Sequence, residues 1–374
     1  MSHRVQEGGV YVHYPYCRHR CSYCNFNVAT PRRIRHQDYR DAILKELDLR
    51  APDLGGSARS LYFGGGTPSL WDPACIEAVV GAVRTNPGLR DGAEVTLEAN
   101  PEDVHGESCK RWLDAGINRL SLGIQSTRER FLKAADRRHD ETTAVQAIET
   151  VVAAGFDSFS VDLIFGLAGQ KVEDWRLELD RILDFDIPHL SVYGLTVEPR
   201  TVLALQVNRG QVVLPDDGDQ HDMFMMTRHR LRQAGYDHYE VSSYARPGHR
   251  AIHNSGYWEW RPYLGLGAGA HGFVGRRRWE NIGRPSRYIS TCLDGYLPVK
   301  TDEVLPVETC AFERLMVGLR RLDEGVDLAD DFERFETNLR AEEARGWLDI
   351  EGTHIQVTDE GLRWMNELLL ALMP

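Results

Sequence analysis

The 374-residue sequence contains no apolar run long enough to cross a bilayer and no segment typical of a secretory leader. Residues 1–9 are polar, and the longest apolar stretch near the other end is Leu368–Met373. A transmembrane helix requires about 20 apolar residues, and a signal peptide requires an apolar central region. We therefore expect a cytoplasmic protein without a transmembrane segment.

Basic residues are in the minority. The chain has 44 Lys and Arg against 56 Asp and Glu, which gives a formal net charge of −12. Residues 301–374 contain 18 of the acids with 7 Arg and no Lys, so the first 300 residues are almost neutral. Nucleic-acid-binding proteins normally carry a basic surface, so this balance speaks against general nucleic-acid binding. The hydrophobic content of 42% is typical of a globular protein and excludes disorder as the main state.

One basic island interrupts the neutral part of the chain. Between residues 17 and 40 the only acid is Asp38. Such a run is usually a solvated surface, and a pocket for an anionic ligand is the alternative. The island consists of Arg18, Arg20, Arg32, Arg33, Arg35 and Arg40.

The seven cysteines do not suggest a disulfide framework, because their number is odd and the chain is large and lacks a secretion signal. Three of them, Cys17, Cys21 and Cys24, form a C-x3-C-x2-C pattern that favours metal ligation. A structural zinc site needs a fourth ligand, which His13 or His19 could supply. An iron–sulfur cluster is the other alternative. Three thiolates on a four-iron cluster would leave one iron open to a small molecule.

Short apolar segments alternate with helical patterns over the first 200 residues. The predicted strands are 10–14, 59–63, 94–99, 119–124, 158–165 and 189–195, and helical patterns cover 38–50, 106–115, 141–154 and 173–184. This alternation predicts an α/β fold with a parallel sheet and right-handed crossovers, a partial or closed (β/α)6 TIM-like barrel. Its chemistry belongs at the C-terminal ends of the strands. The candidate functional residues at these strand ends are Cys17, Gly64–Thr67, Glu98, Gln125 and Asp162.

Several motifs in a fixed order resemble a known family. The cysteine loop, with Tyr23 before its third cysteine, resembles that of the radical S-adenosylmethionine (SAM) enzymes. Four further segments are similar to the oxygen-independent coproporphyrinogen III oxidase group of that superfamily. They are YFGGGTPS at 62–69, TLEANP at 96–101, RLSLGIQ at 119–125 and DLIFGL at 162–167. The resemblance extends from about residue 8 to the C-terminus.

The resemblance implies a cofactor set and a site. It makes Cys17, Cys21 and Cys24 ligands of a [4Fe–4S] cluster whose open iron is chelated by SAM. Gly65, Gly66 and Thr67 would hold the methionyl end through backbone groups, since glycine allows a close approach. The remaining residues implied around SAM are Tyr11, Tyr23, Glu98, Gln125, Arg137 and Asp162. Taken alone, the two carboxylates could instead be helix caps and Arg137 a surface ion pair.

The family group divides into decarboxylases, which make protoporphyrinogen, and heme chaperones of the HemW type. The decarboxylases carry a fourth cysteine two residues after the third and a long N-terminal extension. Here Phe26 stands at that position, and 16 residues precede Cys17. The sequence HNSGYW at 253–258 matches the HNxxYW motif of the chaperone branch. We therefore expect a heme chaperone, with a coproporphyrinogen III decarboxylase as the alternative.

The HNxxYW motif suggests a heme site. Imidazole is a common axial ligand of heme iron, so His253 is the predicted ligand, with Tyr257 and Trp258 packed on the porphyrin. Arg250 or Arg261 would pair with the propionates. In the competing interpretation His253 caps a loop and the two aromatic residues belong to the core.

The C-terminal part is expected to form separate units. We predict a radical SAM core at 1–235, an extension at 236–300 that carries the HNxxYW motif, and an acidic domain at 301–374. In the extension, Gly265–His271 is predicted to be a close-packed turn, with His271 as a reserve ligand. The last domain combines a helix at Val307–Leu322 with a hairpin at Trp347–Thr358, a winged-helix-like pattern. It is expected to cap the barrel or to dock a basic partner.

The expected partners follow from the resemblance. They are heme and a heme-accepting protein such as a membrane respiratory enzyme, with a homodimer as a candidate assembly. Coproporphyrinogen decarboxylation is not expected. The sequence leaves open whether SAM is cleaved in turnover.

Overall fold

The computed structural model describes residues 7–373. The strands in this range are β1 (Gly9–Tyr14), β2 (Ala58–Gly65), β3 (Leu89–Ala99), β4 (Arg119–Gln125), β5 (Ser158–Phe165), β6 (His189–Gly194), β7 (Asp237–Glu240), β8 (Ser243–Ala245), β9 (Tyr263–Leu266), β10 (His271–Val274), β11 (Arg277–Asn281), β12 (Val299–Val304), β13 (Val326–Asp327), β14 (Leu348–Glu351) and β15 (His354–Val357). The α-helices are α1 (His36–Leu54), α2 (Pro73–Val83), α3 (Gly106–Asp114), α4 (Glu129–Ala134), α5 (Glu141–Ala154), α6 (Val172–Leu183), α7 (Val202–Asn208), α8 (Asp217–Gln233), α9 (Ile252–Trp258), α10 (Pro285–Leu293), α11 (Val307–Gly318), α12 (Phe332–Ala344), α13 (Asp359–Arg363) and α14 (Met365–Ala371).

The centre of the fold is a run of six parallel strands, β1 to β6, in chain order. At least one helix follows each of the first five strands, as right-handed βαβ units require. The predicted partial (β/α)6 TIM-like barrel of the radical SAM type is confirmed. The register is set by apolar residues such as Val10, Val12 and Leu61, which are inaccessible to solvent.

Local sequence determines most of these boundaries. Strand β5 has the predicted bounds, and α5 begins and ends where its pattern does. Helix α2 begins at Pro73 because the Asp72 carboxylate accepts the Ala74 N–H as an N-cap. Strand β3 begins five residues before its predicted start at Glu94, with an exposed segment that pairs Leu89 with Ala58.

The central sheet continues beyond the barrel at both edges. Strands β9 to β12 extend it next to β1, and β8 and β7 extend it next to β6, which gives twelve strands in this sheet. Within the extension, Gly265 lies in β9 and not in a turn, but its close packing is confirmed. A Cβ at Gly265 would lie 1.7 Å from the carbonyl oxygen of His271, so a side chain cannot be accommodated there.

The C-terminal region has a core of its own. Strands β13, β15 and β14 form a separate antiparallel sheet, in which β14 and β15 are the predicted hairpin. Leu315, Leu339 and Ile355 belong to a second hydrophobic cluster that extends from residue 311 to 372. Strand β12 spans the predicted boundary at 300/301 and pairs with β11. The three-domain division stays a prediction.

Within residues 7–373, none of the helices combines the length and the apolar character needed to span a membrane.

Candidate functional site

The cysteine loop follows β1 at the C-terminal edge of the barrel. Its base is closed by backbone hydrogen bonds, in which Cys17 N–H donates to the Ala29 carbonyl at 3.0 Å and Ala29 N–H donates to the Pro15 carbonyl at 2.7 Å. The thiols of Cys17, Cys21 and Cys24 are partly exposed and line one open cavity of about 330 Å³. The loop therefore presents the three predicted ligands to a single space.

Two side chains from elsewhere in the barrel donate to these thiols. Thr67 Oγ1 lies 3.3 Å from Cys17 Sγ, and Arg137 Nη1 lies 3.7 Å from Cys21 Sγ. Burial raises the pKa of the Cys17 thiol to about 11 and also raises the pKa of Cys24. Without a bound cation the thiols of Cys17 and Cys24 are therefore protonated. A metal centre would stabilise their thiolate forms.

The glycine-rich segment after β2 lies directly against the cysteine loop. Gly66 N–H donates to the Tyr14 carbonyl at 2.7 Å, and Thr67 N–H donates to the Tyr16 carbonyl at 2.9 Å. Gly65, at φ +114°, donates its N–H to Glu98 Oε2 at 2.9 Å. These three N–H groups therefore already donate hydrogen bonds within the protein. The predicted backbone contacts of this segment to SAM stay a prediction.

Two partly buried carboxyl groups lie in the wall of the cavity. Glu98, in β3, accepts from Tyr62 Oη at 2.8 Å, and burial raises its pKa to about 7. Asp162, in β5, accepts from Ser121 Oγ at 2.7 Å and from Ser160 Oγ at 2.9 Å, and burial raises its pKa as well. Neither carboxyl caps a helix. Both belong to the wall of a ligand cavity.

Arg137 and Gln125 complete this wall. Arg137 Nη2 donates to Asn100 Oδ1 at 2.9 Å and to the Gly123 carbonyl at 2.8 Å. Its Nε is buried and has no hydrogen-bond partner among the described residues. Gln125 has a backbone φ of +67°. Such a positive φ is uncommon for residues other than glycine, and these residues cluster at functional sites. These are the features expected where a polar ligand completes the site.

All but one of the predicted SAM and cluster residues line this cavity. The exception is Tyr11, which lines a second cavity next to the first. Sequence reasoning gave no binding role to several further lining residues, among them Phe26, Asn100, Ser121, Ile164 and Tyr193. Asn100, Ile164 and Tyr193 lie at or next to the C-terminal ends of β3, β5 and β6, so the same rule that found Glu98 and Asp162 could have found them.

Of the basic island, Arg20 borders the first cavity and donates to the Cys24 carbonyl at 3.3 Å. Arg18 pairs with Asp103, Arg35 with Asp38, and Arg40 with Asp41. The island is therefore partly neutralised by ion pairs within the chain.

The second cavity measures about 570 Å³ and shares Phe26, Gly65 and Glu98 with the first. Its volume lies within the ~300–1,000 Å³ usual for ligand pockets. The polar and aromatic side chains that line its far side come from β1, α9, β9, β10, β11 and β12. They are Tyr11, His13, Tyr257, Tyr263, His271, Glu280 and Lys300.

Helix α9 carries the HNxxYW motif and begins against a buried carboxylate. Both oxygens of Glu94 accept backbone N–H groups, from Ile252 and His253, each at 2.9 Å. The imidazole of His253 is buried. Its Nδ1 bonds Ser60 Oγ at 2.8 Å and its Nε2 bonds Tyr257 Oη at 2.8 Å. Burial lowers its pKa to about 3, so the ring is neutral.

The motif's other residues point in different directions. Tyr257 faces the second cavity. Trp258 contacts the C-terminal region, where the Arg320 guanidinium lies 5.4 Å from its ring centroid. The two arginines predicted to meet propionates have carboxylate partners within the chain: Arg250 pairs with Asp323 at 2.5 Å, and Arg261 pairs with Glu259.

Comparison with known proteins places the chain in a family. The model of the radical SAM superfamily matches residues 11–182, and that of the HemN C-terminal domain matches residues 305–364. A protein of Mycobacterium tuberculosis named heme chaperone HemW is 36% identical over 364 residues, covering 95% of this chain and 92% of that protein. This chain belongs to the HemW family.

Two further comparisons cover nearly the whole chain. Mouse radical S-adenosyl methionine domain-containing protein 1, mitochondrial, is 37% identical over 388 residues, covering 98% of this chain and 87% of that protein. Among solved structures, coproporphyrinogen III oxidase from Escherichia coli superposes with a TM-score of 0.81 at 22% identity, covering 99% of this chain and 91% of that chain. At that identity the likeness shows the fold alone.

The radical SAM domain of this HemW-family chain implies a [4Fe–4S] cluster and SAM. The first cavity fits both groups. It offers three thiols, of which Cys17 and Cys24 have a pKa raised by burial, and a buried guanidinium nitrogen without a partner among residues 7–373. It also has two carboxyl groups that can accept hydrogen bonds from a nucleoside or an amino group.

Proposed function

We propose that the protein is a heme chaperone, which binds heme, a [4Fe–4S] cluster and SAM and delivers the heme to an acceptor protein. The observation that carries this proposal is the second cavity, which lies beside the cysteine cavity and shares Gly65 and Glu98 with it. The bacterial relatives named heme chaperone HemW support the same function.

In this proposal the first cavity holds the cofactors. Cys17, Cys21 and Cys24 would ligate the cluster, which supplies a low-potential electron and an open iron site when bound. Thr67 and Arg137 donate to two of the thiolates and so stabilise their negative charge. The remaining residues proposed for SAM are Tyr11, Tyr23, Gly65, Gly66, Glu98, Gln125 and Asp162.

The second cavity would hold the heme. Tyr257 and Tyr263 meet edge to face, with ring centroids 4.7 Å apart, and form an aromatic wall. Lys300 adds a positive charge at the same cavity, where it pairs with Glu280 at 2.7 Å. A propionate could replace Glu280 at little cost, because Lys300 is exposed and surface ion pairs contribute only about 0–1 kcal/mol.

The finer features of the function are also proposals. They comprise the sequence-based assignment of His253, Tyr257 and Trp258 to the heme site, a cytoplasmic location, a membrane respiratory enzyme as the acceptor, and a homodimeric state. Each rests on the sequence motifs and the family resemblance. Of the three motif residues, only Tyr257 lines the second cavity, so we propose direct contact with heme for Tyr257 and supporting roles for His253 and Trp258.

Heme titration of the anaerobically purified holoprotein tests the proposal. We expect a saturable Soret band, followed by transfer of the heme to apomyoglobin, used as a generic acceptor, on mixing. A Soret spectrum that remains that of free heme at all protein concentrations would contradict heme binding. Retention of heme in the presence of excess apomyoglobin would contradict delivery.

The decarboxylase alternative needs its own assay. The holoprotein would be incubated anaerobically with coproporphyrinogen III, SAM and dithionite. We expect no vinyl product, because Phe26 occupies the place of the fourth cysteine and its side chain is 60% exposed between the two cavities. Formation of protoporphyrinogen would favour the decarboxylase instead.

A further inference from the structure

Three imidazoles lie in or beside the second cavity, and they differ in whether a nitrogen is accessible to a metal. Iron coordination requires one ring nitrogen with a lone pair that faces the ligand space. His13 and His271 line the cavity, whereas His253 lies behind its wall, with its ring centroid 6.3 Å from that of Tyr11.

His13 has both nitrogens engaged. Its Nε2 lies 2.9 Å from the Asn27 carbonyl, an acceptor, so Nε2 carries the proton and donates. Its Nδ1 therefore accepts from Tyr11 Oη at 3.0 Å. Coordination by His13 would require one of these bonds to break at a buried side chain.

His253 is held in the same way. Its two nitrogens bond Ser60 and Tyr257, and its ring stacks on Tyr62 with centroids 5.0 Å apart. Releasing either nitrogen would leave a hydroxyl without its partner, at a cost of about 1–3 kcal/mol if that hydroxyl stays buried. A nearby imidazole without this cost would be the better ligand.

His271 meets this condition. It is the first residue of β10, and it is exposed and lines the cavity. Its backbone position is fixed, because its carbonyl packs against Gly265 so closely that no Cβ fits there. In the next strand its register partner is Glu280, whose carboxylate holds Lys300.

We propose that His271 is the axial ligand of the heme iron and that His253 is a positioning residue. This inference rests on the heme binding proposed above. The His253 ring anchors the hydroxyl of Tyr257 and so fixes the aromatic wall of the cavity. His271 supplies the imidazole within the same cavity, in register with Glu280 and so near the positive charge of Lys300 that would meet a propionate.

Ligand substitution tests this assignment. Ferric heme is titrated into the holoprotein with an oxidised cluster, which is diamagnetic, and the Soret band and heme EPR spectrum are recorded. His271→Ala is expected to weaken heme binding by about tenfold or more, equivalent to ~1.4 kcal/mol or more, and to lose the imidazole-ligated spectrum. Added imidazole should restore that spectrum. His271→Cys should convert it to a thiolate-ligated spectrum.

The controls separate this assignment from heme binding in general. His229→Ala, on the exposed surface of α8, should bind heme as the unmodified protein does. His253→Gln, whose amide can still reach hydroxyl partners, should retain the imidazole-ligated spectrum. An unmodified protein that binds no heme would overturn the proposed function. If it does bind heme, unchanged spectra in both His271 variants would overturn only the ligand assignment, as would loss of imidazole ligation in His253→Gln.

Discussion

The hydroxyl of Tyr62 donates to Glu98 Oε1 at 2.8 Å, while the Tyr62 ring stacks on His253 with centroids 5.0 Å apart. Tyr62 thus connects a carboxyl group of the cofactor cavity with the first residue of the HNxxYW motif. The stacked Tyr62–His253 pair therefore links the two proposed ligand sites, and a change at one has a packing route to the other.

Glu98 should make the stability of the cofactor-free protein depend on pH. Burial raises its pKa from 4.5 to about 7, so the folded chain holds this proton more tightly than the unfolded chain. Glu98 therefore lowers the free energy of unfolding progressively as the pH rises from 4.5 to about 7, and the effect then levels off. Glu98→Gln should remove this dependence. The free energy of unfolding of the variant should therefore increase relative to that of the unmodified protein as the pH rises.

Denaturant unfolding across this pH range measures the effect. The gain should amount to a few kcal/mol at most, since one pKa unit corresponds to about 1.4 kcal/mol. Glu149→Gln, on the exposed side of α5, is the matched control and should show no such trend. A constant difference between Glu98→Gln and the unmodified protein would disprove the assigned titration.

Gly66→Ala should damage the cofactor site without unfolding the barrel. The new Cβ would lie 2.9 Å from the carbonyl oxygens of Tyr14 and Tyr16 and 3.0 Å from Cys17 Sγ. It would push the cysteine loop outward, so we expect less iron per chain and weaker SAM binding by calorimetry. In contrast, Gly81→Ala in α2 places its Cβ in open space and should stabilise the helix by about 0.5–1 kcal/mol with normal iron content. Equal iron content in the two variants would argue against the role of Gly66.

Each of the three loop cysteines should be needed for the cluster. Cys17→Ser, Cys21→Ser and Cys24→Ser should each lose most of the bound iron and sulfide in anaerobic preparations, because a hard hydroxyl replaces a soft thiolate. Cys310→Ser is the control. That cysteine is partly exposed in α11, outside both cavities, and its replacement should leave iron and sulfide unchanged. Stoichiometric zinc without iron in the unmodified protein would contradict the cluster.

The barrel was predictable because its strands carry a local signal. The parallel strands are largely buried on both faces, as the adjacent residues Val12 and His13 of β1 are, so they form short apolar runs with polar residues at their ends. The same signal placed Glu98 and Asp162 at one edge. It could not identify β7 to β12, which are only three to six residues long and depend on pairing with distant strands.

The HNxxYW motif shows where sequence reasoning ends. Spacing alone indicates that His253 and Tyr257 lie on one side of a helical turn. It does not reveal that Ser60 occupies the other imidazole nitrogen, or that Trp258 faces Arg320 in the C-terminal region. These contacts join residues 193 and 62 positions apart in the chain, and only the tertiary fold determines them.

His253→Ala should destabilise the protein substantially. It removes both hydrogen bonds of a buried ring and leaves the hydroxyls of Ser60 and Tyr257 without that partner. We expect a loss on the order of 3 kcal/mol, measured as a lower midpoint of denaturant unfolding. Tyr257→Phe should cost less, because it removes only one of the two bonds. His354→Ala, in the C-terminal sheet, controls for loss of an imidazole. A midpoint equal to that of the unmodified protein would contradict the anchoring role of His253.

Trp258 should act on the C-terminal region and not on heme. Its ring lies under the Arg320 guanidinium, and the adjacent segment is held by the Arg250–Asp323 ion pair and by the Leu322 N–H, which donates to the Tyr239 carbonyl at 3.0 Å. Trp258→Ala removes an attraction of about 0.5–2 kcal/mol. Hydrogen exchange at residues 319–324 should therefore become faster, while the Soret spectrum with heme stays unchanged. Trp364→Ala, 45% exposed beside α14, should leave exchange at 319–324 as it is. If Trp258→Ala instead weakens heme binding without changing exchange there, the tryptophan packs on the porphyrin, as its sequence motif alone would suggest.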